Sequence, residues 1–218
     1  MLNSLFPQIN WEKIRFAGFD LDGVLYDEFD FISQVYRPIS QIIASATGAD
    51  EMGTYEKLLQ RWLEKGSSYN RIFSEALQNS GMDEGVTKSI TDECLSLFRN
   101  FQPVLSLSPR TLILLDFMVS RFKLFLVTDG SCALQQAKFK ALSLEQWFNL
   151  ENIVISGCAG KNYEKPSIES LGKIGVLGTG EWEGANTVYF GDRKVDSLFA
   201  KASGFQFVSV KNMFNVQY

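Results

Sequence analysis

Apolar residues fall along this chain in two alternating rhythms. Ile14 to Phe19 is a short, mostly apolar run ending at Asp20 and Gly23, the pattern of a buried strand that feeds a loop. From Phe31 to Leu97 the period lengthens. Ile32, Val35, Ile39, Ile42 and Ile43 recur three and four apart, as do Leu58, Leu59, Trp62 and Leu63, then Ile72, Phe73, Ala76 and Leu77. That spacing lines one face of a helix with apolar side chains. Gly48, Gly53, Gly66 and Gly81 interrupt the stretch and divide it into about four helices. After Pro103 short strands and helices alternate. Helices are expected at about Pro109–Ser120, Ala133–Leu142, Ser167–Ile174 and Val195–Ala202, and strands at Lys123–Val127, Ile153–Ile155, Thr187–Phe190 and Phe205–Val208. Such alternation predicts an α/β fold with a doubly wound, Rossmann-like parallel sheet. The expected division is a catalytic core of residues 1–27 and 103–218, with a small helical insert, residues 28–102, after the first strand.

Composition narrows the chemistry. The 218 residues are 45% hydrophobic and 13% aromatic, enough for a close-packed core and too apolar for a disordered chain. Lys and Arg number 21 against 25 Asp and Glu, a net charge of −4, so the basic excess that binds nucleic acid is missing. There is no histidine. Ser-His-Asp triads, Cys-His dyads, histidine phosphatases and imidazole-ligated zinc are therefore excluded, and acid/base work falls to carboxylates, Lys, Tyr or Cys. Cys94, Cys132 and Cys158 are widely spaced and form no CxxC pair, which reads as three free thiols in a reducing compartment. Cys94 stands five positions before Arg99, one short of a cysteine-phosphatase loop, and is expected to be a buried small residue. Met1 to Asn10 has neither a positive nor an apolar leader region, and no run approaches the length of a membrane span. The expectation is a cytoplasmic protein with no membrane partner.

The polar residues at the strand ends are the candidates for chemistry, because open parallel sheets bind ligands beyond the carboxyl ends of their strands. Three strands end alike: GFDLDG with Asp20 and Asp22, LVTDG with Thr128 and Asp129, and YFGD with Asp192. Each alone is ordinary turn chemistry. Three on one sheet edge are harder to attribute to turns. Lys165, inside Glu164-Lys165-Pro166, precedes a proline that biases it away from helical geometry. Asp196 falls four residues after Asp192, in the first turn of a helix, where a carboxylate also favours the helix dipole. Gly178, Gly180 and Gly184 miss the GxGxxG spacing and precede a strand, which excludes a nucleotide loop.

DLDGVLYD at 20–27, VTDG at 127–130, EKPS at 164–167 and GDRKVD at 191–196 resemble, in order, the four motifs of the haloacid dehalogenase-like hydrolase superfamily. The likeness spans residues 14–208, and the helical insert resembles that family's C1 cap. Asp129 departs from the pattern, since many members carry Asn there; the threonine before it is the functional position. The resemblance implies that Asp20 is a nucleophile forming an aspartyl-phosphate, and that Asp22 is the acid/base. It implies Mg²⁺ as cofactor, held by Asp20, the Asp22 carbonyl and Asp192, an all-oxygen set suited to that ion. Thr128, Asp129 and Lys165 would hold the phosphoryl group, and Asp196 would orient Lys165 or a metal-bound water from behind. In the insert, Arg37, Lys57, Arg61 and Tyr69 are candidates for substrate contact. The implied activity is a Mg²⁺-dependent phosphoric monoester hydrolase acting on a small phosphorylated metabolite such as a sugar phosphate. Alternatives are a phosphomutase using the same intermediate and a non-catalytic binding protein on the same scaffold. A true dehalogenase is disfavoured, because a departing halide has no use for Asp22. The oligomeric state is left open.

Overall fold

The computed structural model describes residues 2–78, 80–178 and 182–210. The chain divides into two compact units, one of Met1–Glu28 with Leu105–Tyr218 and the other of Phe29–Val104.

The first unit is built on a sheet of five parallel strands among the described residues: β1 (Phe16–Phe19), β2 (Lys123–Thr128), β3 (Ile153–Ile155), β4 (Thr187–Gly191) and β5 (Gln206–Ser209). Their order is β3-β2-β1-β4-β5, so the chain builds outward from β1 in one direction and then in the other. β1 and β4 are buried along their whole length, as central strands covered on both faces must be. Register puts Gly18 level with Phe125 on one side and Tyr189 on the other. Those two rings fill the space over Gly18, where a Cβ would stand 2.3 Å from the Phe125 ring, so this position has room for hydrogen only. Phe16, Phe125, Tyr189, Phe199 and Phe205 form the core of that region. Phe19 stacks on Phe190 with ring centroids 4.8 Å apart. Sheet-unit helices include α1 (Leu2–Leu5) and α6 (Pro109–Val119), the latter capped by Ser108, whose hydroxyl accepts from the Thr111 N–H at 3.1 Å. Further along come α7 (Cys132–Ala141), α8 (Ser156–Ala159) and α9 (Lys194–Ala202).

The second unit holds α2 (from Glu28, in the first unit, to Thr47), α3 (Glu51–Lys65), α4 (Ile72–Leu77) and α5 (Glu84–Asn100). Asp50 and Asp83 cap α3 and α5, accepting from the N–H groups of Gly53 at 2.6 Å and Val86 at 3.0 Å, the side-chain role such residues favour at a helix start. Phe31, Val35, Ile39 and Leu58 are buried.

Four expectations are corrected. Gly53 lies inside the first turn of α3, because the Asp50 cap fixes the helix start ahead of it. Leu63, placed on an apolar face, is 67% exposed. Ile168–Lys173 forms a 3₁₀ helix in place of the expected α-helix; Gly172 within it weakens the helical propensity of an already short segment. Finally, Cys132 and Cys158 form a disulfide, leaving Cys94 as the free cysteine, buried in α5. The partners are 26 residues apart in sequence, but β2 and β3 are neighbours, so the helices that follow them start side by side. Burial pushes the Cys94 thiol up to about 12, which keeps it inert. Gly180 lies outside the described residues, and Gly184 opens a short 3₁₀ turn leading into β4. No described helix is long and apolar enough to cross a membrane.

Candidate active site

Strand order reverses at β1, which has β2 on one side and β4 on the other; ligands of such sheets bind at this point. Asp20 leaves β1 there, its N–H donating to the Phe190 carbonyl at 2.9 Å. The side chain is fully buried. Its Oδ1 accepts from the Leu21 N–H at 2.8 Å and lies 3.0 Å from Lys165 Nζ; its Oδ2 accepts from Arg193 Nη2 at 3.2 Å. Lys165 Nζ also donates to Asp196 Oδ1 at 2.5 Å. The other Asp196 oxygen accepts from the Arg193 N–H at 2.9 Å, so one carboxylate in the first turn of α9 both caps that helix and anchors the lysine. The Lys165 backbone is held as well, its N–H donating to Asp129 Oδ1 at 3.2 Å. Thr128 ends β2, and its buried hydroxyl oxygen has no hydrogen-bond partner among the described residues. A buried polar atom left in that state is costly unless a ligand completes it.

The loop after β1 and the loop after β4 approach closely here. Gly23 has a φ of +73°, and a Cβ built on it would lie 2.5 Å from Asp192 Oδ2. A side chain there would face both backbone strain and a collision.

Asp22 has its own set of donors. Its Oδ1 accepts from Lys138 Nζ at 2.7 Å and from the Tyr26 hydroxyl, and its Oδ2 from Gln135 Nε2 at 2.9 Å. Gln135 Nε2 also donates to the Asp129 carbonyl at 2.9 Å.

The electrostatics differ between the two aspartates. Burial pushes the Asp20 carboxyl upward, against the Lys165 ammonium, with Asp196 adding to the rise. Burial works in the same sense on Asp22, but the Lys138 ammonium and the donated hydrogen bonds outweigh it and hold that carboxyl below the usual range. Burial would discharge Lys165, yet Asp20 and Asp196 hold its ammonium above the ordinary value. The Tyr26 hydroxyl is pushed well up by burial and by Asp22, so it stays a donor.

Carboxylate oxygens of Asp20, Asp192 and Asp196 lie within 4.8 Å of one another. Two cations, Lys165 and Arg193, face these three carboxylates, so the site is short of positive charge before any anion enters. An oxygen-only, carboxylate-rich set of this kind suits a hard dication such as Mg²⁺. Both Asp196 oxygens are engaged by Lys165 and the Arg193 backbone, and both Asp20 oxygens by Leu21, Lys165 and Arg193, so an ion held by Asp20 and Asp192 would displace the Arg193 guanidinium from Asp20.

The five strand-end candidates Asp20, Asp22, Thr128, Asp129 and Asp192, with Lys165 from its loop and Asp196 from α9, therefore lie at one edge of the sheet. The candidates of the helical unit are arranged otherwise. Arg37 lies over the Tyr55 ring at 4.8 Å. Arg61 pairs with Glu75 at 2.7 Å and Glu64 at 3.1 Å and lies over the Tyr69 ring. Lys57 and Arg61 help line a cavity of about 470 Å³ with Leu58, Ile72 and Glu75, all within the helical unit. Sequence reasoning passed over Tyr26, Gln135, Lys138 and Arg193. Tyr26 and Arg193 stand inside quoted motifs. Gln135 and Lys138, three apart on α7, share its buried face with Leu134 and Phe139, and polar residues on an apolar stripe are the signal that could have found them.

A profile of the haloacid dehalogenase-like hydrolase family matches residues 18–210. Among solved structures, the chain is similar to a HAD-superfamily hydrolase of subfamily IA, variant 1, from Geobacter sulfurreducens, with TM-score 0.65 and 21% identity over 90% of this chain and 87% of that one. A Thermotoga maritima protein provisionally described as a β-phosphoglucomutase gives 0.61 and 20% over 93% and 97%. A magnesium-bound Bacillus subtilis protein provisionally described as a HAD-hydrolase gives 0.62 and 16% over 94% and 90%. At these identities the likeness is one of fold. No curated protein matches by sequence.

Proposed function

Since the chain belongs to the haloacid dehalogenase-like hydrolases, we propose that it hydrolyses phosphomonoesters of small metabolites through an aspartyl-phosphate on Asp20, with Mg²⁺ as cofactor. The observation that carries this reading is the pairing of two buried aspartates two residues apart with a buried, unpartnered Thr128 hydroxyl and the Lys165 ammonium 3.0 Å from Asp20. An Asp20 oxygen attacks phosphorus, the ester P–O bond breaks, and the leaving oxygen takes a proton from Asp22, whose carboxyl the Lys138 ammonium and its other donors hold ionised at rest and which takes up that proton as the substrate enters. Water then attacks the acyl phosphate, gives its proton to Asp22, and frees inorganic phosphate with Asp20 restored. Thr128 and Lys165 bind the phosphoryl oxygens as charge redistributes over them. Asp129 is assigned to holding the Lys165 loop, since its carboxylate would repel a phosphate that its backbone could still meet. Asp20, Asp192 and the Asp22 carbonyl would hold the metal, which when bound supplies charge neutralisation for a dianionic substrate. Residues 29–104 take the part of the C1 cap, with Arg37 and Lys57 as candidates for selecting the leaving group, since the Arg61 guanidinium is taken up by Glu64 and Glu75.

The similarity to the Thermotoga maritima protein supports a second reading, a phosphomutase that returns the phosphoryl group to another hydroxyl. Purified protein incubated with a panel of sugar, acid and nucleoside monophosphates separates the two. Free phosphate that appears only with Mg²⁺ and stops with EDTA is the expected result. Rearranged sugar phosphate without free phosphate would establish the mutase, and halide release from 2-haloacids without phosphatase activity would overturn both.

A further inference from the structure

We propose that Lys138 is a positioning residue for Asp22, acting with Gln135 and Tyr26 as a three-donor clamp on the acid/base carboxylate. Lys138 lies in α7, outside all four motifs. Its side chain is 2% exposed, and its ammonium meets Asp22 Oδ1 at 2.7 Å. A lysine so deeply buried must be paired, and the pairing is specific in place: Gln135, one turn earlier on α7, takes the other Asp22 oxygen, and Tyr26 adds a second donor to Oδ1. Both oxygens of one side chain are thus fixed from two separate elements, the loop after β1 and the helix after β2. The Gln135 side-chain carbonyl oxygen is itself buried without a hydrogen-bond partner among the described residues, and Gln135 Nε2 also donates to the Asp129 carbonyl. The clamp therefore ties the loop bearing Asp22 to the loop bearing Thr128, so that acid/base and phosphoryl-binding groups keep one spacing. Such a device matters because misplacing a catalytic group by about 1 Å costs about 10²-fold in rate.

The inference rests on the reading of Asp22 as acid/base, and the test keeps the two apart. Lys138→Met, Asp22→Asn and the double variant are compared with wild type on an alkyl phosphate and an aryl phosphate, using burst kinetics to isolate the first step. Rates are normalised to correctly folded protein by burst amplitude. Lys138→Met is expected to lower kcat on the alkyl phosphate by about 10²-fold with little change in KM, to spare the aryl burst, and to add no further loss in the Asp22→Asn background. Tyr26→Phe and Gln135→Leu, each removing one neutral donor, should show the same alkyl-over-aryl signature at smaller size and serve if Lys138→Met fails to fold. Equal losses on both substrates, or additive loss with Asp22→Asn, would overturn the clamp alone. Full alkyl activity in Asp22→Asn would overturn the acid/base reading and the clamp with it.

Discussion

The sheet unit and the helical unit each hold a cation between two carboxylates, and the two triads behave differently for one physical reason. Lys165 sits between Asp20 and Asp196 with no side-chain exposure in any of these ion pairs. Arg61 sits between Glu64 and Glu75 with side chains that are 34%, 48% and 25% exposed. In the buried triad, water cannot replace a lost partner, so every charge depends on the others and on what enters the site. In the exposed triad, water stands ready and salt screens the attraction. Charge pairing therefore marks a reactive site only where burial and the strand-end position coincide with it.

The sharpest test of that contrast is to disarm the buried triad without disturbing its shape. Asp20→Asn is isosteric and should cut turnover by about 10⁴-fold, with an unchanged circular dichroism spectrum. Turnover near the wild-type rate would remove Asp20 from the nucleophile's role.

Next in size is the removal of the shared cation. Lys165→Met strands Asp20 and Asp196 against each other, and denaturant titration should show a loss of about 3–5 kcal/mol. Mg²⁺ should recover part of it, because a dication supplies the missing charge. A loss that Asp196→Asn does not relieve in the double variant would mean that the triad is not a coupled unit.

The units also differ in covalent support, since the sheet unit carries the Cys132–Cys158 disulfide and the helical unit a free Cys94. Cys132→Ser should lower stability by about 3 kcal/mol, as expected for a closed loop of this size. Added reductant should match that loss in wild-type protein and have no effect on the variant. A midpoint insensitive to reductant would show the tie to be energetically idle.

Smallest of all is the effect expected from the exposed triad. Arg61 and Tyr69 draw the Glu75 carboxyl down to about 2. Because its folded value lies below the ordinary one, any stability it lends is present above the usual carboxylate range and fades as pH falls toward 2. Glu75→Gln should leave the melting temperature at neutral pH unresolved from wild type in moderate salt. A large drop insensitive to salt would erase the distinction between the triads.

Much of this architecture could be read in one dimension because its signals are local. A buried strand followed by an aspartate and a glycine announces itself at Phe19–Asp20 and at Phe190–Asp192, and helix faces repeat every three or four residues. Ile153–Ile155 and Thr187–Gly191 sit where the apolar runs put them. Periodicity counts apolar residues without knowing what covers them, which is why Leu63 fits the apolar spacing of α3 and still lies in solvent.

The alternating fold, the four motifs and the absence of histidine are all written in the order of the residues, and with them the hydrolase family. Tertiary structure alone decided which charges share a site. Asp22 meets Gln135 and Lys138 across 113 and 116 residues, and Asp20 meets Arg193 across 173. It also decided that Cys132 pairs with Cys158, and that Arg61 is spent on its own glutamates. The contacts of the sheet unit follow from strand order, since β1 lies between β2 and β4, and the order in which strands lie side by side leaves no mark on the spacing of residues along any one of them.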